Sequence, residues 1–261
     1  MRVLVTGGSE GIGFAVAAEA VRAGADVEIW ARQEDKLKAA CAKLNAIRVN
    51  AAHWRRVDVS DPLDVRTAAE KYLAHGPPDR LFQCAGFAVA AFLDDVADND
   101  VEMMFAVNAM GSIYVARAIA PAMAARKSGA IVLTSSDLGF IGLFGWSVYA
   151  ATKHAVVGFA SSLRNELKPF GVSVQALCPP ATQTPGFDRE NETKPRSVRK
   201  AEQAGGVMSP EDVARTAWAR AGRGGLHIIP NRTSRILFAL TRVSLRLAHG
   251  LVRAPGPGQP R

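Results

Sequence analysis

The chain has 261 residues, 48% of them hydrophobic, enough to bury the core of one large domain. Its formal charge of +8 is uneven: nine arginines and no Asp or Glu lie from Arg215 onward, against 23 basic and 24 acidic residues before it. The basic segment lacks interleaved aromatics and the remainder is near neutral, so a nucleic-acid surface is not expected.

Cys41, Cys84 and Cys178 are widely spaced. They show neither a disulfide framework nor metal-ligand spacing, so no metal is expected and a reducing, cytoplasmic compartment is. A strand beginning at Arg2 leaves no visible N-terminal signal. No apolar run is expected to reach the ~20 residues that span a bilayer.

Taken in order, Arg2 to Thr6 reads as a strand, Gly7-Gly8-Ser9-Glu10-Gly11-Ile12-Gly13 as a tight turn, and Phe14 to Ala23 as an Ala-rich helix. Strand, glycine turn and helix form the first unit of a nucleotide-binding βαβ fold. There the glycines let the backbone approach a pyrophosphate at a helix N-terminus. Asp26 to Trp30 is a second strand. An NAD site usually carries a carboxylate just beyond it. Here the chain reads Ala31-Arg32-Gln33, with Lys36 one turn along the next helix. A guanidinium suits a 2′-phosphate, so NADP(H) is the expected cofactor. A third strand, 51–57, ends in Asp58-Val59; Asp58 either accepts from the adenine amino group or caps the helix near Pro62. A fourth, 80–83, leads into Cys84-Ala85-Gly86, small residues beside which a cofactor can lie.

Asp100 to Arg126 reads as one long helix with Asn108 inside it. Asparagine is a poor interior helix residue, so Asn108 marks a kink, a satisfied core amide or a water anchor. A fifth strand, 130–134, ends at Ser135-Ser136; Ser136 either holds a substrate carbonyl or caps a turn. Tyr149 and Lys153 lie four residues apart and so share one helix face. A lysine ammonium beside a phenol is expected to lower its pKa and ready it for proton transfer to a carbonyl. A sixth strand, 172–178, precedes a long Pro-rich and then charged loop, 179–208, of a length that is usually functional. Ser209-Pro210 opens another helix, and 226–229 is a seventh strand. The alternation predicts an α/β fold: a single doubly wound parallel sheet with helices on both faces and ligands at the C-terminal strand ends.

These features together resemble the short-chain dehydrogenase/reductase family over residues 1 to about 230. The motifs that carry the resemblance are Thr6-Gly7-x-x-x-Gly11-Ile12-Gly13, Asn108, Ser136 and Tyr149 with Lys153. The resemblance implies a Rossmann-type sheet of order 3-2-1-4-5-6-7. It implies Tyr149 as acid/base, Lys153 on the nicotinamide ribose, Ser136 on the carbonyl and Asn108 in a proton relay. It further implies NADP(H) held by Gly7, Ser9, Glu10, Gly11, Ile12 and Gly13, by Arg32, Lys36, Asp58 and Val59, by Ala85 and Gly86, and by Pro179, Thr182 and Thr184. Glu10 stands where a small polar residue is usual, an awkward carboxylate beside phosphate.

Gly142-Leu143-Phe144-Gly145 and the segment Pro179 to Phe187, with Glu190-Asn191-x-Thr193-Lys194-Pro195 behind it, resemble the 3-ketodihydrosphingosine reductase group of that family. That implies NADPH-dependent reduction of a long-chain 3-keto amino alcohol, a lipid substrate. The competing readings are a reductase of another apolar ketone, such as a 3-oxoacyl thioester or a steroid, and a catalytically silent NADP(H)-binding protein.

The expected organisation is a catalytic domain over 1–230, a basic amphipathic helix over 231–254 and a disordered tail over 255–261. On a helical wheel Arg235, Arg242, Arg246, His249 and Arg253 fall within about 60°, opposite a broad apolar face. Such a helix suits an anionic membrane surface, at the cytoplasmic side, or packs on the domain or a partner subunit. Homo-oligomer formation is left open.

Overall fold

The computed structural model describes residues 1–204 and 206–250. Strands β1 (Arg2–Thr6), β2 (Asp26–Ala31), β3 (Ala52–Arg56), β4 (Arg80–Gln83), β5 (Gly129–Thr134), β6 (Val172–Leu177) and β7 (His227–Ile228) form one seven-stranded sheet. All pairings are parallel and the order is β3-β2-β1-β4-β5-β6-β7, as expected. Parallel neighbours require crossovers. These are made by α1 (Gly11–Arg22), α2 (Glu34–Ile47), α3 (Pro62–Leu73), α4 (Asp98–Met104) with α5 (Gly111–Arg126), α6 (Ser147–Leu167), and the run α7 (Pro185–Thr193), α8 (Arg196–Ala204) and α9 (Pro210–Arg220).

Side chains alternate across the sheet. Val3, Val5, Val27, Ile29 and Phe82 pack toward α1, α2 and α9, whereas Leu4, Trp30, Leu81, Ile131 and Leu133 pack toward α3, α5 and α6. The order in which strands are added reverses between β1 and β4, so their C-terminal ends open the crevice where such folds bind ligands.

Four local expectations are revised. Residues 105–110 form a π-helical turn between α4 and α5, with Asn108 inside it, so the one long helix expected over 100–126 is interrupted there, and Asn108 is a buried, hydrogen-bonded amide. The stretch 98–126 is long and apolar enough to cross a bilayer by length and composition, with 56% of that window buried in the fold; its apolarity serves the core against α3 and α6. The cap of α3 is Asp61, which accepts from Leu63 N at 2.8 Å; Asp58 instead accepts from Ser60 N and Oγ. Finally, most of 179–208 is helical, because Thr184 caps α7 and Pro185 occupies its first turn.

The C-terminal segment forms α10 (Arg232–Val243), broken at an extended Ser244, and then α11 (Leu245–Gly250). Helix α10 packs on the domain: Phe238 meets Phe140 edge-on at 5.1 Å and His227 at 4.6 Å. The single helix expected over 231–254 is thus divided, and its last residues, Arg253 included, and the tail lie outside the described residues.

Candidate active site

The nucleotide half of the crevice is built by the β1–α1 turn. Gly7 has φ 66°, and a Cβ there would stand 2.6 Å from Ala85 N. At Gly13 a Cβ would stand 2.2 Å from the Gly7 carbonyl oxygen. The turn therefore sits against the end of β4 at a distance only glycine allows. Ser9, Gly11 and Ile12 border the same cavity, of about 260 Å³, as do Val59, Ala85, Gly86 and Thr184. Asp58 also borders it, at the end of β3. Glu10 is the N-cap of α1, but its side chain makes no capping bond, so the first-turn N–H groups keep their affinity for an anion. Arg32, exposed at the end of β2, and Lys36 complete this wall. A backbone cradle at a helix N-terminus with a guanidinium beyond it fits a dinucleotide carrying a 2′-phosphate.

Lys36 already has a partner. The Glu10 carboxylate pairs with Lys36 Nζ at 2.7 Å and with Arg189 of α7. Desolvation raises the Glu10 pKa, but hydrogen bonds from these two cations outweigh it and hold the carboxyl below its ordinary range.

A second cavity of about 260 Å³ shares Ile12, Cys84, Gly86, Thr184 and Glu190 with the first. It brings together Ser136, Tyr149, Lys153, Pro179 and Thr182. The Lys153 ammonium donates to Thr134 O at 3.0 Å and stands 5.4 Å from the centre of the Tyr149 ring. Ser135 Oγ donates to Lys153 O at 2.9 Å, fastening α6 to the end of β5. Ser136 Oγ donates to Asp137 Oδ1 at 3.1 Å and accepts from Leu138 N, so it caps the short turn 137–139 while bordering the cavity. Asn108 stands behind the wall. Its amide accepts from Phe87 N and donates to Phe87 O and Thr152 Oγ1. A Cβ on Gly86 would be 3.5 Å from Asn108 Oδ1 and 3.8 Å from Lys153 Nζ.

The expected lowering of the Tyr149 pKa by Lys153 does not occur here. Burial pushes the phenol well above its ordinary range, the Glu190 and Asp137 charges add to this, and Ser136 opposes it. Burial also draws Lys153 down to about 8, against the nearby Cys84, Cys178 and Glu190. The spacing that puts both residues on one face carries no information about the dielectric around them. Burial likewise raises Cys84 and Cys178, to about 11 and about 12, and all three thiols are free.

Several cavity residues were not read as site residues. Glu190 and Phe187 come from α7, Leu143 and Trp146 precede α6, and Leu237 arrives from α10. Glu190, Phe187 and Leu143 lie in the segments singled out above as motifs, so a signal existed, and Trp146 directly follows one of them. For Leu237 none did, since only the packing of α10 brings it to the site.

The profile of the family described as short chain dehydrogenase matches residues 1–195. The chain belongs to that family. Among short-chain dehydrogenases, the chain is similar to the 3-ketodihydrosphingosine reductase of Bos taurus, with 36% identity over 247 residues, 92% of this chain and 74% of the relative. A crystal structure of a short-chain dehydrogenase from Streptomyces avermitilis is similar with TM-score 0.81 and 27% identity, covering 94% of each chain. The structure of ElxO with NADP bound is similar with TM-score 0.77 and 26% identity, covering 88% of this chain and 97% of that one.

Proposed function

We infer that this short-chain dehydrogenase is an NADPH-dependent reductase that converts 3-ketodihydrosphingosine to sphinganine in sphingolipid biosynthesis. The observation that carries the reading is the similarity to the bovine reductase, which spans 92% of the chain. It therefore takes in the substrate-side helices, where members of one fold family differ most, as well as the nucleotide half. When bound, NADPH supplies the hydride.

The chain's own groups supply the rest. Tyr149, its phenol held protonated by burial, gives its proton to the carbonyl oxygen as the alcohol forms; such a step is worth about 10²–10⁴-fold. Ser136 orients that oxygen by its hydroxyl. Lys153 holds the nicotinamide ribose and offsets the phenolate left behind. Asn108, close behind Gly86 and Lys153, belongs to the proton path through the protein. On the nucleotide side the glycine turn, with Ser9 and Ile12, takes the pyrophosphate. Arg32 and Lys36 take the 2′-phosphate, while Asp58 and Val59 take the adenine. Pro179, Thr182 and Thr184 flank the nicotinamide.

The substrate is a lipid, and α10–α11 offer a way to reach it. Ile236, Val243 and Leu245 are 64%, 83% and 54% exposed on a segment that also exposes Arg232, Arg235, Arg242 and Arg246. Exposed apolar and basic side chains together favour an anionic membrane surface, which would put the enzyme on the cytoplasmic side. The test of the whole reading is NADPH oxidation with 3-ketodihydrosphingosine set against a 3-oxoacyl thioester. Preference for the thioester would sink it.

A further inference from the structure

The substrate cavity is more polar than reduction of an apolar ketone requires. Asp137, Glu190 and Glu202 all border it. Two lysines face these three carboxylates. Lys153 donates to Thr134 O, and the fully buried Lys194 ammonium lies 2.5 Å from Glu202 but 3.7 Å from Glu190. The positive charge is thinly spread among the described residues: no cation pairs with Asp137, and Glu190 has only the more distant share of Lys194 and the field of Arg189, which is itself paired with Glu10. Burial makes that costly, and it pushes Asp137 to about 6 and Glu190 to about 7. The Asp137 carboxylate already accepts from Ser136 and Ser234 hydroxyls, at 3.1 and 3.3 Å. Glu190 is the less engaged of the two.

A second observation comes from a different element. Trp146 is 3% exposed and its ring borders the same cavity, yet its Nε1 has no hydrogen-bond partner among the described residues. Buried indole N–H groups usually find an acceptor. The ring lies 5.2 Å from that of Tyr149 and 5.0 Å from the Lys194 ammonium, so the indole packs between the proposed acid and the lysine of the carboxylate cluster.

Resting on the substrate reading above, we propose that this part of the cavity is a head-group subsite. In it the Glu190 carboxylate accepts the 2-ammonium of the keto lipid and the Trp146 indole N–H donates to its 1-hydroxyl. The amine-bearing carbon is bonded directly to the carbonyl carbon, so a carboxylate that reads the amine has to stand close to the reacting centre. Glu190 meets this requirement, because it borders both the nucleotide and the substrate cavities. The ammonium gives Glu190 a close cation in place of its long share of Lys194, and the hydroxyl supplies the indole's missing acceptor. A site built around polar partners rejects analogues that lack them more strongly than an apolar slot distinguishes chain lengths.

The test compares kcat/KM for 3-ketodihydrosphingosine and for its deamino analogue, 1-hydroxyoctadecan-3-one, in wild type, Glu190→Gln and Trp146→Phe. Wild type is expected to favour the amine by about tenfold or more. Glu190→Gln should erase that preference, lowering the amine substrate by about tenfold and the analogue by less than about threefold. Trp146→Phe should lower both, since both carry the hydroxyl, by several-fold more than it lowers 3-octadecanone, which reports the loss of packing on Tyr149 alone. Equal use of the two ketones by wild type, or a parallel fall on both in Glu190→Gln, overturns the proposal. If Glu190→Gln does not fold, the wild-type preference and the Trp146→Phe series still decide. Should wild type reduce a 3-oxoacyl thioester but neither long-chain ketone, the substrate reading itself has failed, and the subsite falls with it.

Discussion

The carboxylate of Glu10, in the glycine-rich turn, is ion-paired with Arg189 on α7. The same carboxylate holds Lys36 of α2. One side chain therefore ties the nucleotide turn to the helix that flanks the substrate cavity, and it engages a lysine proposed for the 2′-phosphate. Phosphate and Glu10 compete for Lys36. Glu10→Gln should tighten NADPH binding by about three- to tenfold at low salt, with the gain shrinking as salt screens it. Fluorescence titration of NADPH at two ionic strengths checks this. A weaker Kd would mean that the tie to α7 matters more than the repulsion.

Tyr149→Phe removes one hydroxyl and leaves the ring against Trp146. Turnover should fall by about 10²-fold or more while the Kd for NADPH stays within about threefold. Stopped-flow NADPH oxidation separates the two quantities. Turnover within tenfold of wild type would take the proton-donor role from Tyr149.

Arg32 borders the nucleotide cavity where an NAD enzyme would carry an acid. Arg32→Ala should weaken NADPH by about tenfold or more and NADH by less than about twofold, because only the former carries the phosphate that a guanidinium grips. A parallel loss for both cofactors would show that Arg32 does not read the phosphate.

What could be read from the chain was what is local. The β1–α1 turn announces itself because glycine is needed where the turn meets Ala85. Tyr149 and Lys153 announce themselves because one helical turn separates them. The parallel sheet follows from strand–helix alternation, and its strand order from the family resemblance. What could not be read depends on non-local packing. The environment that raises Tyr149 and lowers Lys153 is assembled from β5, α7 and the segment before α6. Leu237 and Ser234 reach the site only because Phe238 anchors α10 on Phe140. Helices α7 and α8 were hidden by polarity, since their sequences bury few apolar side chains.

The raised carboxyl of Glu190 makes a stability prediction whose sign can be worked out. Burial lifts it from an ordinary 4.5 to about 7. Between those values the folded chain binds more protons than the unfolded one, so stability falls as pH rises through the window. The stability this group contributes is present below pH 4.5 and lost by pH 8. Glu190→Gln cannot ionise, so without ligand its Tm should match wild type near pH 4.5 and exceed it at pH 8. A constant difference across that range would mean that Glu190 does not titrate there.

The C-terminal segment allows a sharper membrane test than deletion. Removing residues from 233 onward would take Leu237 from the cavity and Ser234 from Asp137, so lost activity would say nothing about membranes. Ile236, Val243 and Leu245 are different: all three are exposed and none borders the cavity. Replacing all three by Ser removes apolar surface but keeps every arginine. If α10–α11 lies on a membrane, its apolar side chains supply most of the insertion energy, at about 25 cal/mol per Å² buried, and the arginines add attraction to anionic lipid. The triple variant should then lose co-sedimentation with phosphatidylserine-containing vesicles by about tenfold and turn over vesicle-embedded ketone more slowly. Its kcat/KM on a short-chain, water-soluble analogue should stay within about twofold of wild type. Unchanged vesicle binding, together with a change in sedimentation equilibrium, would instead identify these side chains as a contact between copies of the chain.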